Sequence, residues 1–394
     1  MAHFGWTYLS RDALRKAEAQ LSGASEDVRD EVGFLLLHQR YADRFFPGTS
    51  VLHTRLRYVL FVPWIYQRLW EAPPKGDFGR ALADLETRLV GRLKDANEEG
   101  IIGGRLHPKH SAQPPSAVYW TALAKWRILR MPEGRSNQLS RAQVHQFIRR
   151  ASRVSRDDDG RPLQDLEFPF VGLPSAPADW DGDGPLSFNL GKREKDFLHA
   201  RLADVSSPMH PHRPSLLSRL AEQRMALPDH AWGEAALAVA ADDRDALRRA
   251  GQAAALAAVG RAVYAALLER RVGPSNAGLS HADKLEKALE NFARRAHRLD
   301  LAAMAEDVGA LPGVVQRVLK ETHSWLVSGA GDPELLFDAY AAAEERRKGP
   351  LARLPPTLNG ARRRGEWDRD HHPEPTELHY RWKRVRQLVE DLHA

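Results

Sequence analysis

The sequence predicts a mainly α, multi-domain protein, and three observations carry that expectation. Apolar residues recur at three- and four-residue spacing through most of the chain. Capping residues stand where those runs begin. A length of 394 residues suits two or three domains better than one ordinary core. Apolar residues make up 43% and charged residues 28%, a globular mix that excludes wholesale disorder and fibrous architecture.

Ser10 is placed to cap a first helix through about Leu21, with Leu14, Ala17 and Leu21 on one face. Ser25, followed by Glu26 and Asp27, starts a second that Pro47-Gly48 stops. The run from Val51 to Trp70 interleaves arginines with aromatic rings, and Pro63 is expected to kink or break it. A helix from about Asp77 to Glu99 places Leu82, Leu85, Leu89 and Leu93 in register, and the Gly100–Gly104 stretch reads as a linker or functional loop. These residues, 1–105, form an expected amino-terminal helical domain.

A middle domain over 106–200 begins with a helix capped by Ser116, and Ser140 with Gln143 forms a capping box for another through about Arg150. Two such helices are compatible with a small winged-helix-like module, although the gap between them exceeds the tight turn of a helix-turn-helix pair. Residues 157–189, dense in Asp, Gly and Pro, read as a loop excursion. The remaining residues, 201–394, form an expected helical carboxy-terminal domain. It holds Ala-rich helix from about Trp232 to Arg270, a helix capped by Ser280, an Asp332-Pro333 helix start and a last helix from about Thr376.

Zero cysteines exclude a disulfide framework, a thiolate nucleophile and cysteine-ligated metal sites, and they suit a reducing cytoplasm. The first residues lack the basic and apolar regions of a secretory signal, and no stretch of about 18 residues is apolar without a charge, so no membrane contact is expected. No Walker A loop, dinucleotide fingerprint, nucleophile elbow or His-Glu-x-x-His pair is present. Asp179–Gly184 resembles half a calcium loop, but Leu190 stands where a bidentate Glu is required. The pairs His107/His110, His210/His212 and His371/His372 lack a third donor. No catalytic residue, metal ligand or cofactor is therefore assigned.

Lys and Arg number 58 against 52 Asp and Glu, a net +6, and high-GC coding bias alone would enrich arginine. Placement says more than the total. Arg135, Arg141, Arg149, Arg150, Arg153 and Arg156 fall in one acid-free stretch. Between Arg346 and Arg386 twelve basic residues face five acids, and Arg362, Arg363, Arg364, Arg381, Lys383 and Arg384 are its candidate phosphate contacts. Arg55 and Arg57 could track phosphates beside rings that stack bases, against the competing reading that Phe45, Phe46, Leu60, Phe61, Val62, Trp64 and Ile65 are simply core.

Phe4–Ser10, Asp30–Phe34, Tyr41–Ser50, Arg57-Tyr58 and Leu60–Trp64 resemble an uncharacterised bacterial family that carries only a domain-of-unknown-function label. The resemblance extends through Pro115–Trp126 to His379–Trp382. It implies anti-phage defence gene neighbourhoods beside helicases and phospholipase-D-like nucleases, and brings no catalytic residues. The expected function is a non-catalytic nucleic-acid-binding subunit of a bacterial defence complex. DNA, including single strands, and a helicase or nuclease are its expected partners. A protein-binding scaffold or regulator without nucleic-acid contact is the first alternative. A metal-dependent nuclease using Asp157, Asp159 or Asp179 is the second.

Overall fold

A computed structural model describes residues 30–130, 139–151, 166–273 and 280–394. They are mainly helical, with a single two-stranded hairpin among them. Two compact units divide the chain. Of the described residues, the larger holds those of Gln39–Gly251, Ala302–Gly309 and His379–Ala394; the smaller holds residues 30–38 and those of Gln252–Leu301 and Ala310–Leu378.

The first described helix, α1 (Phe34–Phe45), starts where the Asp30 carboxylate accepts from the N–H of Gly33 and Leu35. The larger unit is built around α2 (Tyr58–Glu71), whose residues from Tyr58 to Tyr66 are all buried. Pro63 sits inside α2 rather than ending it. An interior proline removes a backbone hydrogen bond at a cost of roughly 3 kcal/mol, which burying nine consecutive mostly large side chains outweighs. Around α2 the aromatic rings pack face and edge: Phe61 on Trp180 at 5.6 Å, Trp64 on Trp180 at 5.3 Å, and Tyr58 on Tyr119 at 5.4 Å.

The helix α3 (Phe78–Asp95) is capped by Asp77, which accepts from the N–H of Arg80. Pro114, not Ser116, occupies the N-cap of the short α4 (Pro115–Val118), and α5 (Trp120–Lys125) follows. Ser140 caps α6 (Arg141–Ala151), and α7 (Lys192–Ala203) leads to the hairpin of β1 (Ser206–Ser207) and β2 (His210–Pro214). The helices α8 (Leu216–Glu222) and α9 (Glu234–Val239) precede the longest helix, α10 (Arg244–Val272). The Trp232–Arg270 region is thus broken before Arg244 by a 3₁₀ turn at Ala241–Asp243, where Ala241 takes φ of 44°.

The stretch Ala241–Val272 is long and apolar enough by composition to cross a membrane, but most of that apolar length is buried inside the protein as core. In the smaller unit α10 passes Phe34 and Tyr340 at Gly260, where any Cβ would come within 2.5 Å of the Phe34 ring. Beside it the fully buried Glu344 carboxylate accepts from Tyr264 Oη (2.6 Å), Lys348 Nζ (3.0 Å) and the N–H of Arg353 and Leu354.

The smaller unit continues through α11 (His281–Ala296), which has a full Ser280/Asp283 capping box. After it come α12 (Leu301–Val308), whose residues beyond Leu301 belong to the larger unit, then α13 (Gly313–Val327), α14 (Phe337–Lys348) and α15 (Leu358–Gly365). The final helix, α16 (Trp382–His393), begins six residues later than the sequence suggests, because Tyr380 and Arg381 take left-handed φ of 47° and 66°. The helices expected before residue 30 lie outside the described residues.

Two features of the larger unit use arginine as an internal cation. Asp307 is buried and receives both Nε and Nη2 of Arg249 (2.7 and 2.8 Å), with Tyr41 Oη at 3.2 Å; Arg44 stands between Asp307 and Asp243. In the loop Asp179–Gly184, the buried Arg92 donates to the carbonyls of Asp179, Trp180 and Gly184 at 2.6–2.7 Å. Arg88 holds the carbonyls of Asp181 and Gly182 and the Asp183 carboxylate. Two guanidinium groups hold the carbonyls of the loop that resembles a calcium site.

Candidate nucleic-acid interface

The acid-free arginine stretch centres on α6. Arg135, Arg153 and Arg156 lie outside the described residues; Arg141, Arg149 and Arg150 are on the helix. Val144 and Ile148 are buried, Phe147 stacks on Trp70 at 6.0 Å, and His145 Nε2 meets Tyr66 Oη at 2.7 Å. Burial, reinforced by Arg141, pushes the His145 imidazole down to about 4, so it is neutral at physiological pH. With that side pinned, the outward face consists of Ala142, Gln143, Gln146, Arg149 and Arg150, all exposed. No acid stands anywhere on the helix. Glutamine matters beside arginine because both side chains make bidentate contacts to base edges, and Gln146 is the one placed to do so, since Gln143 Oε1 accepts from the Ser140 N–H at 2.8 Å in the helix cap. Reading the residues only for positive charge misses Gln146, whose spacing of three and four residues from Arg149 and Arg150 was the available signal.

The aromatic–arginine segment resolves as core. Phe45, Phe46, Leu60, Phe61, Val62, Trp64 and Ile65 are all buried. Arg57 is itself buried, pairs with Glu194 at 2.7 Å, donates to Ser187 O and lies over the Phe61 ring at 5.2 Å. Arg55 makes two contacts from Nε to the Asp391 carboxylate at 3.0 and 3.1 Å and sits over Phe188 at 4.8 Å. Both guanidinium groups are occupied by interior partners.

The later basic cluster divides between the units. In the smaller unit Arg362 and Arg363 face Glu366, and Arg364 donates to the carbonyls of Arg353 and Pro355. Arg362 alone of the three is exposed. In the larger unit Arg381 pairs with Asp43 and donates to Thr49 O, and Arg384 donates to Val51 O. Lys383 is exposed and lines a cleft of about 410 Å³ with Asp229, His230, Trp232, Arg386 and Gln387. The structure therefore brings Arg141, Arg149 and Arg150 onto one helix and places Lys383 at a cleft; Arg55, Arg57, Arg364, Arg381 and Arg384 hold other parts of the protein together.

Among the described residues no group of three or more His, Asp or Glu side chains is arranged to hold a metal ion. His110 pairs with Asp84, His371 with Asp368, and β2 presents His210 and His212 to solvent.

A sequence profile described as a family of unknown function, DUF6361, matches residues 1–308. The chain belongs to that family. Comparison with curated proteins and with solved structures returned no match. Membership in DUF6361 covers all of α6 and leaves α16 beyond the matched residues.

Proposed function

We propose that this DUF6361 member is a cytoplasmic, non-catalytic nucleic-acid-binding subunit of a bacterial anti-phage defence complex, with α6 as the helix that meets the nucleic acid. The observation that carries the reading is the exposed, acid-free face of Gln143, Gln146, Arg149 and Arg150 on a helix anchored from behind by Val144, Phe147 and Ile148. Eleven residues span about 16 Å, enough to lie along a major groove. The neighbouring α5 and the antiparallel bridge between Leu129 and Phe170 support a winged-helix-like presentation of α6.

Titration of labelled duplex DNA at two salt concentrations tests this, because each neutralised phosphate releases counterions and adds about −0.9 to the salt slope. The wild type is expected to bind in a salt-sensitive way. Arg149→Ala with Arg150→Ala is expected to weaken binding about 10- to 100-fold and to flatten the slope by about two contacts. Wild-type affinity in that double variant, or no binding at low salt, overturns the reading.

A second reading, a protein-binding scaffold, is favoured by Leu358 and Leu335 of the smaller unit, which are 92% and 76% exposed. Capture of a partner that survives nuclease treatment and is lost in Leu335→Asp or Leu358→Asp would support it.

A further inference from the structure

The cleft beside α16 has a construction that the arginine-based reading does not use. One wall is a single face of α16, where Lys383, Arg386, Gln387 and Glu390 recur at three- and four-residue spacing. The facing wall is the turn at Asp229–Trp232, closed by the Gly233 N–H donating to His230 O. The walls are tied together, since Trp382 Nε1 on α16 donates to Pro228 O at 2.8 Å. At the base, Trp232 lies flat on α10 at Gly251, where a Cβ would stand 2.7 Å from the indole, and the Tyr380 ring meets it edge-on at 5.9 Å. Trp232 is therefore held rigidly, and above it the exposed His230 ring stacks at 5.2 Å with only 9° between the planes.

We propose that this cleft receives one unpaired nucleotide, its base stacking on or in place of the His230 ring and its phosphate on Lys383 and His379. The proposal rests on the nucleic-acid reading above and deepens it, since it assigns single strands or their ends to a place other than α6. A single flat ring over a fixed indole suits a base, because base–aromatic stacking accepts any base face. Lys383 supplies the cation at the start of α16, and His379 lines the cleft four residues before it. Asp229 and the Gln387 Oε1, whose amide nitrogen is held by Asp391 at 3.0 Å, offer acceptors to the amino group of a base edge. The acids do not dominate the cleft: Arg386 stands 3.3 Å from Asp229 and 3.7 Å from Glu390. The volume of about 410 Å³ is of the size that encloses a small ligand. An acidic peptide would use Lys383 and Arg386 but leave the stacked pair idle.

The test uses the full chain with a short labelled oligothymidylate, a blunt labelled duplex and free AMP as competitor. His230→Ala and Lys383→Ala, both at exposed positions, are each expected to weaken oligothymidylate binding about tenfold, the loss of one stacked base or phosphate contact. Duplex binding should stay at the wild-type level in both. AMP competition that His230→Ala abolishes assigns the cleft to free nucleotides. Strand binding that AMP leaves intact but His230→Ala weakens assigns it to the strand. Oligothymidylate binding unchanged in both variants overturns the proposal, and if duplex binding still depends on Arg149 and Arg150 the α6 reading survives. Absence of duplex binding alongside His230-dependent strand binding is the reverse result, which removes α6 and keeps the cleft.

Discussion

Two stretches of the larger unit, Arg55–Trp70 and Arg141–Ala151, have the same ingredients, arginines set among aromatic and aliphatic residues, and opposite outcomes. In the first, Arg55 and Arg57 point inward to Asp391 and Glu194, and the helix that follows is buried from Tyr58 to Tyr66. In the second only Val144 and Ile148 are fully buried, and the side chains of Arg149 and Arg150 are exposed. The difference lies in the apolar side chains. Nine buried residues in succession leave no outward face for the neighbouring cations, so each must bring an acid inside with it. Two buried residues at i, i+4 leave most of a helix surface to meet a partner.

The contrast can be broken at its buried end first. Arg57→Ala leaves the Glu194 carboxylate buried without its cation, and a loss of about 3–5 kcal/mol in denaturant-measured stability is expected. Glu194→Gln on that background should recover part of it; no recovery would mean the pair is not the reason Arg57 is buried.

A pH titration of stability sharpens the same end. His53 is fully buried, its Nε2 meets Val118 O at 3.2 Å, and its Nδ1 has no hydrogen-bond partner. Burial pushes this imidazole down to about 3 from an ordinary 6.5. As pH falls through 6.5 the unfolded chain takes up a proton there that the folded protein refuses. The stabilisation is complete above that pH and lost below it, by roughly 1.5 kcal/mol between pH 6.5 and 5. His53→Asn should flatten the urea midpoint over that window, and an unaltered pH dependence would exclude His53 as the source.

At the exposed end, Ser140→Ala removes the α6 cap, in which Ser140 Oγ accepts from the Gln143 N–H, and should cost about 1 kcal/mol by thermal melting. Smallest of all is the stability effect of Arg149→Ala with Arg150→Ala, expected within about 0.5 kcal/mol. A larger loss would move these arginines into the same class as Arg57.

Local chemistry made much of this architecture legible. Asp77, Ser140 with Gln143, Ser280 with Asp283 and Asp332-Pro333 all act as caps or helix starts, because capping depends on residues three or four apart. The buried partners of arginine were not legible. Glu194 lies 137 residues from Arg57 and Asp391 lies 336 from Arg55, and nothing near either arginine signals them. Pro63 misleads for a related reason: a local rule costs a few kcal/mol, and a core of large rings offers more. The interleaving of the two units has no local signal either, since the boundaries at His38, Gly251 and Leu301 fall inside helices. Of the candidate interface, Arg149 and Arg150 were visible as charge. The cleft was not, because His230 and Lys383 come from segments 153 residues apart.

The loop at Asp179–Gly184 is organised by a cation that cannot leave. A metal held by such carbonyls would come and go with its concentration in the surroundings, and the loop would report that concentration. Arg92 is joined to the chain, so its local concentration is set by the fold and no chelator can empty the seat. Where a calcium loop is an instrument that reads the cell, this one is a fixed joint, made once when the chain folds and closed for as long as it stays folded.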